Sequence, residues 1–167
     1  IKMTRLQDIR LIPCEKIQSL ANNHAIAVNL RDIFPYPYTI EDAEAYLDLA
    51  TNGVFGHVFG IYNDDTFVGC CSLLPQNDVY RINAEISYWI GEPYWGKGFA
   101  TDAVKQAVKF AFKELNLLRI YAHIYEYNIG SMKVLEKVGF EKEAIIKSSV
   151  IKEGKIIDEH LYSIRKV

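Results

Sequence analysis

The stretch from Ala84 to Leu115 changes its period once, at a pair of glycines, and that change constrains the fold more than anything else in the sequence. Ala84-Glu85-Ile86-Ser87-Tyr88-Trp89-Ile90 has the short, β-branched and aromatic character of a strand. From Ala100 onward, Ala103, Val104, Ala107, Val108, Ala111 and Leu115 fall on one helical face, with Lys105, Lys109 and Lys113 opposite as a solvated face. Between them lies Tyr94-Trp95-Gly96-Lys97-Gly98-Phe99-Ala100-Thr101. A strand, a glycine turn and a helix start together form an anion cradle. First-turn N–H groups lack helical partners, the helix dipole adds partial positive charge, and glycine lets phosphate oxygens reach the backbone. On spacing alone, a tight helix-initiating connection explains the glycines equally well. The common nucleotide signatures fail here. There is no G-x-x-x-x-G-K-[ST] segment, and Thr101 stands where G-x-G-x-x-G needs its third glycine.

The remaining segments give that turn its context. Residues 3–12 mix apolar and polar positions up to Pro13 and predict an opening edge strand, with Ile1 and Lys2 left out of the reading. Residues 15–30 predict one or two short helices. Phe34-Pro35-Tyr36-Pro37-Tyr38 cannot be helical, because each proline pushes its predecessor toward extended backbone. Thr39-Ile40-Glu41-Asp42 reads as a capping sequence for a helix that closes at Gly53. Val54–Tyr62, Phe67–Leu74 and Arg81–Ile90, divided by Asn63-Asp64-Asp65 and Pro75-Gln76-Asn77-Asp78, predict an antiparallel meander. A strand at Arg119–Tyr125, a helix near Ser131–Val138, and two strands joined at Lys152-Glu153-Gly154-Lys155 complete the order β-α-α-β-β-β-α-β-α-β-β. No repeat or linker divides the chain, so residues 1–167 are expected to form one domain.

Composition then excludes several functions. A formal net charge of -2 supplies no basic field for a phosphate backbone, so nucleic acid is not expected as a direct ligand. No apolar run approaches the ~20 residues that cross a bilayer, and no signal peptide is visible. Cys14, Cys70 and Cys71 form no C-x-x-C pair, which suits a reducing cytoplasm with at least one of the adjacent pair in the core. His24, His57, His123 and His160 lack metal-ligand spacing, so no metal is expected and each is read as core or surface.

Trp95-Gly96-Lys97-Gly98-Phe99-Ala100-Thr101 after a strand resembles the coenzyme motif of the GNAT acyltransferase superfamily, [QR]-x-x-G-x-[GA], with Gly98 and Ala100 at the small positions. Trp95 replaces the usual Gln or Arg, as in RimJ/RimL-type protein N-acetyltransferases, whose version reads Y-W-G-x-G-[YF]-A-T-E-A; Asp102 replaces its Glu. Asn128 to Phe140 is similar to the family's second block, N-x-x-S-x-x-V-x-E-K-x-G-F. The likeness runs from about Thr39 to Tyr162. It implies an α+β GNAT fold, with a mostly antiparallel sheet of about seven strands, a splayed parallel pair in its middle and helices on both faces. It also implies acetyl-CoA as cosubstrate. Trp95 and the amides of Gly96, Lys97, Gly98, Phe99, Ala100 and Thr101 would hold the pyrophosphate. The strand end at Trp89 and Ile90 would part from the Arg119 strand for the pantetheine arm, with Asn128 and Ser131 beside it. Asn128 also reads as a helix N-cap, and the two roles can coexist.

The implied reaction is acetyl transfer to a primary amine, with a protein or peptide N-terminus favoured. A small-molecule amine, or a catalytically silent acyl-CoA-binding module, is the alternative. Amine attack needs a base, and Glu85, in an otherwise apolar strand, matches the glutamate assigned that role in RimJ/RimL-type enzymes; pairing with Arg81 or Arg119 is the structural alternative. The tyrosine that many members use to protonate the leaving thiolate is Leu135 here, which leaves Ser131, Tyr125 or Tyr127 as candidates. Tyr36 and Tyr38 are expected to wall the acceptor side. The oligomer is expected to be a monomer or a homodimer.

Overall fold

The computed structural model describes residues 4–167, so Met3 of the expected first strand lies outside the described residues. The architecture is one seven-stranded mixed sheet between two helical layers. Strand β1 (Thr4–Asp8) is shorter than the sequence suggested, because the Asp8 carboxylate accepts from Arg10 N at 2.9 Å and turns Ile9–Leu11 into a single 3-10 turn. Two short helices follow, α1 (Cys14–Ala21) and α2 (His24–Ala27). Helix α3 (Ile40–Thr51) starts at a reciprocal cap: Asp42 N donates to Thr39 Oγ1 at 3.2 Å and Thr39 N donates to the Asp42 carboxylate at 2.8 Å.

The meander is β2 (His57–Asn63), β3 (Thr66–Pro75) and β4 (Asn83–Ile90), antiparallel throughout. Residues 54–56 and Arg81 belong to turns rather than strands. Then come α4 (Phe99–Lys113), β5 (Arg119–Tyr125), α5 (Ile129–Val138), β6 (Glu141–Lys152) and β7 (Lys155–Arg165). The β6–β7 hairpin turns on Glu153 and Gly154, both at positive φ (50° and 78°), as a two-residue connection requires. In space the order is β1-β2-β3-β4-β5-β7-β6, and among the described residues β4 with β5 is the one parallel pair.

Strand alternation sorts the side chains onto two faces. On one, Ala84 and Ile86 of β4 and Ile120, Ala122 and Ile124 of β5 meet the buried stripe of α4 and the α5 residues Met132 and Leu135. On the other, Val58, Phe67, Cys70 and Trp89 pack against α1, α2 and α3. Cys70 and Cys71 are both buried, one on each face, and burial pushes both thiols up; Cys71 reaches about 12. Among the described residues, no helix is long and apolar enough to cross a membrane, and no cluster of potential ligands could hold a metal ion.

Candidate active site

The parallel pair holds together for only three rungs: Asn83 with Arg119, Ala84 with Ile120, and Glu85 with Tyr121. Beyond them β4 stays on β3 as far as Ile90, while β5 stays on β7 as far as Tyr125. Each strand is committed to its outer neighbour, so the sheet forks. The fork opens into a cleft of about 590 Å³ lined by Ile86–Ile90, the glycine turn, the start of α4, and Asn128 to Val134. That volume suits a small-molecule site. The parting edges leave strand backbone without ladder partners, a surface for an extended ligand that carries amides of its own.

At the cleft head, Gly96 and Gly98 have φ of 72° and 83°, left-handed conformations natural to glycine. Gly98 is the N-cap of α4 and supplies no side-chain cap. A Cβ at Gly96 would meet nothing within 4 Å, so the turn is open on the side where a ligand would lie. Trp95 fastens the turn to the end of β4, its Nε1 donating to Ile90 O at 2.6 Å. Lys133 and Lys137, one turn apart on α5, line the same cleft, whereas Lys97 does not. A helix N-terminus, an open glycine turn and two lysines lining one cleft fit a diphosphate. The spacing of Lys133 and Lys137 was the sequence signal for this second source of charge.

Asn128 does cap α5: its Oδ1 accepts from Ser131 N at 3.3 Å, and Gly139 ends the helix at φ 114°. Ser131 is not alone. The Tyr88 hydroxyl lies 2.7 Å from Ser131 Oγ and 3.2 Å from Ser131 O, so β4 and α5 are joined across the cleft. Burial pushes the Tyr88 phenol far above its ordinary range, against the opposing pull of the Ser131 hydrogen bond. It therefore keeps its proton at neutral pH. Leu135 is fully buried in the core and does not line the cleft. Position 88 was missed from sequence because a strand tyrosine is indistinguishable from a core residue until its facing helix is known.

Glu85 sits on the last paired rung and points to the opposite face from Ile86, with its side chain one-fifth exposed. Its ionic partner is Arg31 Nη2 at 3.5 Å, neither Arg81 nor Arg119; Arg119 is engaged with Glu143 and Asn83. Trp89 turns its ring into the α1–α3 core against Phe34 and Phe67 and also lines the cleft. The expectation for Tyr38 is corrected. At 2% exposure it is a core residue with its ring tilted against Phe34, so residue 38 enters the helical layer while residue 36 is exposed. Tyr36 is exposed beside His24, and neither tyrosine lines the cleft. The loop between α2 and α3 borders the site through other residues. Ile26, Asn29 and Leu30 line the cleft, Tyr127 donates to Val28 O, and Lys152 binds Asp32 at 2.9 Å. His123, read from sequence as core or surface, lines the cleft from β5.

Comparison with known proteins agrees with this architecture. Residues 8–141 match the family described as Acetyltransferase (GNAT) domain. The chain is 40% identical over 108 residues to "Probable N-acetyltransferase YjcK" of Bacillus subtilis strain 168, covering 64% of this chain and 60% of that one. It is 29% identical over 148 residues to the spermidine N(1)-acetyltransferase of Escherichia coli K12, covering 84% and 77%. The matches to three of the Bacillus relatives span about half to three-fifths of those proteins' lengths, 57%, 60% and 47%. Among solved structures, the RimL ribosomal L7/L12 alpha-N-protein acetyltransferase in complex with coenzyme A superposes with a TM-score of 0.84 at 18% identity, covering 97% of this chain and 93% of that one. With its forked sheet, its glycine turn and a family match over most of its length, the chain belongs to the GNAT acetyltransferase family.

Proposed function

We propose that the chain transfers an acetyl group from acetyl-CoA to a primary amine, favouring a peptide or protein N-terminus. The observation that carries this reading is the fork: an open glycine turn at its head, a hydroxyl pair on one wall, and a carboxylate at its base on the opposite face of the sheet. Gly96 to Thr101, Lys133 and Lys137 hold the coenzyme pyrophosphate, and the unpaired edges of β4 and β5 hold its pantetheine arm. Bound there, acetyl-CoA supplies the activated acetyl group. Glu85 takes a proton from the incoming ammonium, directly or through one water, and Arg31 keeps it oriented. On the coenzyme side, Ser131 Oγ gives a proton to the departing sulfur as the Tyr88 hydroxyl passes one to Ser131 and takes one from cleft water, so that the phenol is left protonated.

Arg31 also bears on the acceptor. A polyamine needs several carboxylates and would bring extra cations against this guanidinium, whereas a peptide presents one amine near Glu85 and carbonyls or carboxylates to Arg31. The small-amine reading draws its support from the E. coli spermidine acetyltransferase relative. Competition separates the two. With thiol release from acetyl-CoA as readout, peptide N-termini are expected to outcompete spermidine and free amino acids. Preference for spermidine would transfer the assignment to small amines, and no turnover with any amine would refute it.

A further inference from the structure

We propose that His123 is a second catalytic base, taking the proton that the amine nitrogen still carries as it bonds to the acetyl carbon, with Glu159 orienting the ring. The proposal rests on the acetyl-transfer reading above. His123 Nδ1 is buried and makes no hydrogen bond to any described residue; it faces Glu159 Oε2 at 3.7 Å. A buried polar atom left this way calls for an explanation, and a small ring rotation would close the gap into an Nδ1–H bond to the carboxylate. The side chain is 31% exposed although Nδ1 is covered, so its exposed surface belongs to the other side-chain atoms, of which Nε2 is the one remaining polar group. His123 lines the cleft wall. Tyr121 holds the ring edge-on, with centroids 5.7 Å apart at 83°.

The position is the one the reaction needs. Glu85 and Tyr121 form the last rung before the fork, and His123 is the next β5 residue on that face, about 7 Å further along the strand. Glu159 on β7 and Tyr121 on β5 face it directly, Tyr125 is the next β5 residue on that face, and Glu85 on β4 with Arg31 from the loop before α3 lie next to Tyr121. An ammonium that becomes an amide loses two protons as the C–N bond forms and the C–S bond breaks; one ends on the sulfur and one in solvent. Glu85 accepts the first, before attack. The second leaves from nitrogen after attack, and His123 Nε2 accepts it, since imidazole is the side chain suited to exchanging protons near neutral pH.

The test uses the full chain carrying His123→Gln, His123→Ala or Glu159→Gln, with kinetics, a coenzyme A thermal shift, and 15N NMR of the ligand-free ring. His123→Gln is expected to lower kcat by about 10²-fold with the acetyl-CoA KM and the coenzyme A thermal shift unchanged. Added imidazole should restore part of the activity of His123→Ala. The neutral ring of the parent chain should carry its proton on Nδ1, and Glu159→Gln should weaken that preference. A kcat for His123→Gln within about twofold of the parent, or a ring protonated on Nε2, overturns this proposal alone. A parent chain that acetylates no amine overturns it together with the reading it rests on.

Discussion

Replacing Tyr88 by Phe deletes one oxygen, and the structure says how much that should cost and where. The phenol is bonded to Ser131 Oγ at 2.7 Å and to Ser131 O at 3.2 Å. Two neutral hydrogen bonds at about 1 kcal/mol each give a loss of 1–2 kcal/mol, lowering Tm by roughly 3–6 °C in a chain of this size. Catalysis should suffer more. If the hydroxyl pair is the route by which a proton reaches the departing sulfur, Tyr88→Phe and Ser131→Ala should each lower kcat by about 10²-fold, or about 2.7 kcal/mol. A double-mutant cycle decides whether they act as one unit. Removing either end breaks the same chain, so the double variant should be about as slow as the slower single one, a coupling of about 2 kcal/mol or more. The assay is steady-state thiol release with a saturating peptide, together with KM for acetyl-CoA and thermal unfolding of all four proteins. Losses that add in the logarithm, or a Tyr88→Phe variant that is less stable but within twofold in kcat, would refute the relay.

Gly98→Asp places a carboxylate where Asp tolerates left-handed backbone and complements the α4 N-terminus, so folding should be nearly unaffected. Toward a diphosphate about 4 Å away, each added charge pair costs about 4 kcal/mol at an effective dielectric of 20, so calorimetry should show coenzyme A affinity reduced at least about 10³-fold, with Gly98→Asn as the uncharged control. Gly69→Ala would drive a Cβ to 2.1 Å from Trp89 O and 3.0 Å from Ile90 Cα, against backbone, and should destabilise by about 1–3 kcal/mol in urea unfolding while displacing the end of β4. Hydrogen bonds from Ser163 and Arg119 hold the Glu143 carboxyl below its ordinary range. A folded value below the unfolded one gives stability present above the unfolded value and lost as pH falls through the folded one. Glu143→Gln should therefore cost no more than about 0.5 kcal/mol near neutral pH, because solvent screens this partly exposed carboxylate, and the gap from the parent should close below about pH 4 in acid titration of stability.

The sequence made the sheet legible because each element carried its own boundary. The Thr39–Asp42 cap, the glycines at 98 and 139 and the Glu153-Gly154 turn are local signals, and each sits where it was expected. The glycine turn and the Asn128–Ser131 helix start were legible for the same reason. What failed were one local side-chain choice and several features settled by long-range packing. Asp8 ends β1 by accepting a hydrogen bond from Arg10, and Tyr38 faces the core because of the path the loop takes. Tyr88 and His123 were missed because cleft and core positions alternate with the same period along β4 and β5, and Arg31 because it reaches Glu85 from a loop distant in sequence. Only the point at which β4 and β5 part company separates them, and that point is fixed by the partners on their outer edges.

The central claim is that the fork between β4 and β5 is a coenzyme site. Hydrogen exchange with and without coenzyme A tests it residue by residue. The account requires slowed exchange across Gly96 to Thr101, along Ser87 to Ile90 of β4, and at Asn128 to Ser131, with the Lys152 to Lys155 hairpin unchanged. Coenzyme A that leaves those amides unprotected, or that protects a different face of the sheet, would contradict it.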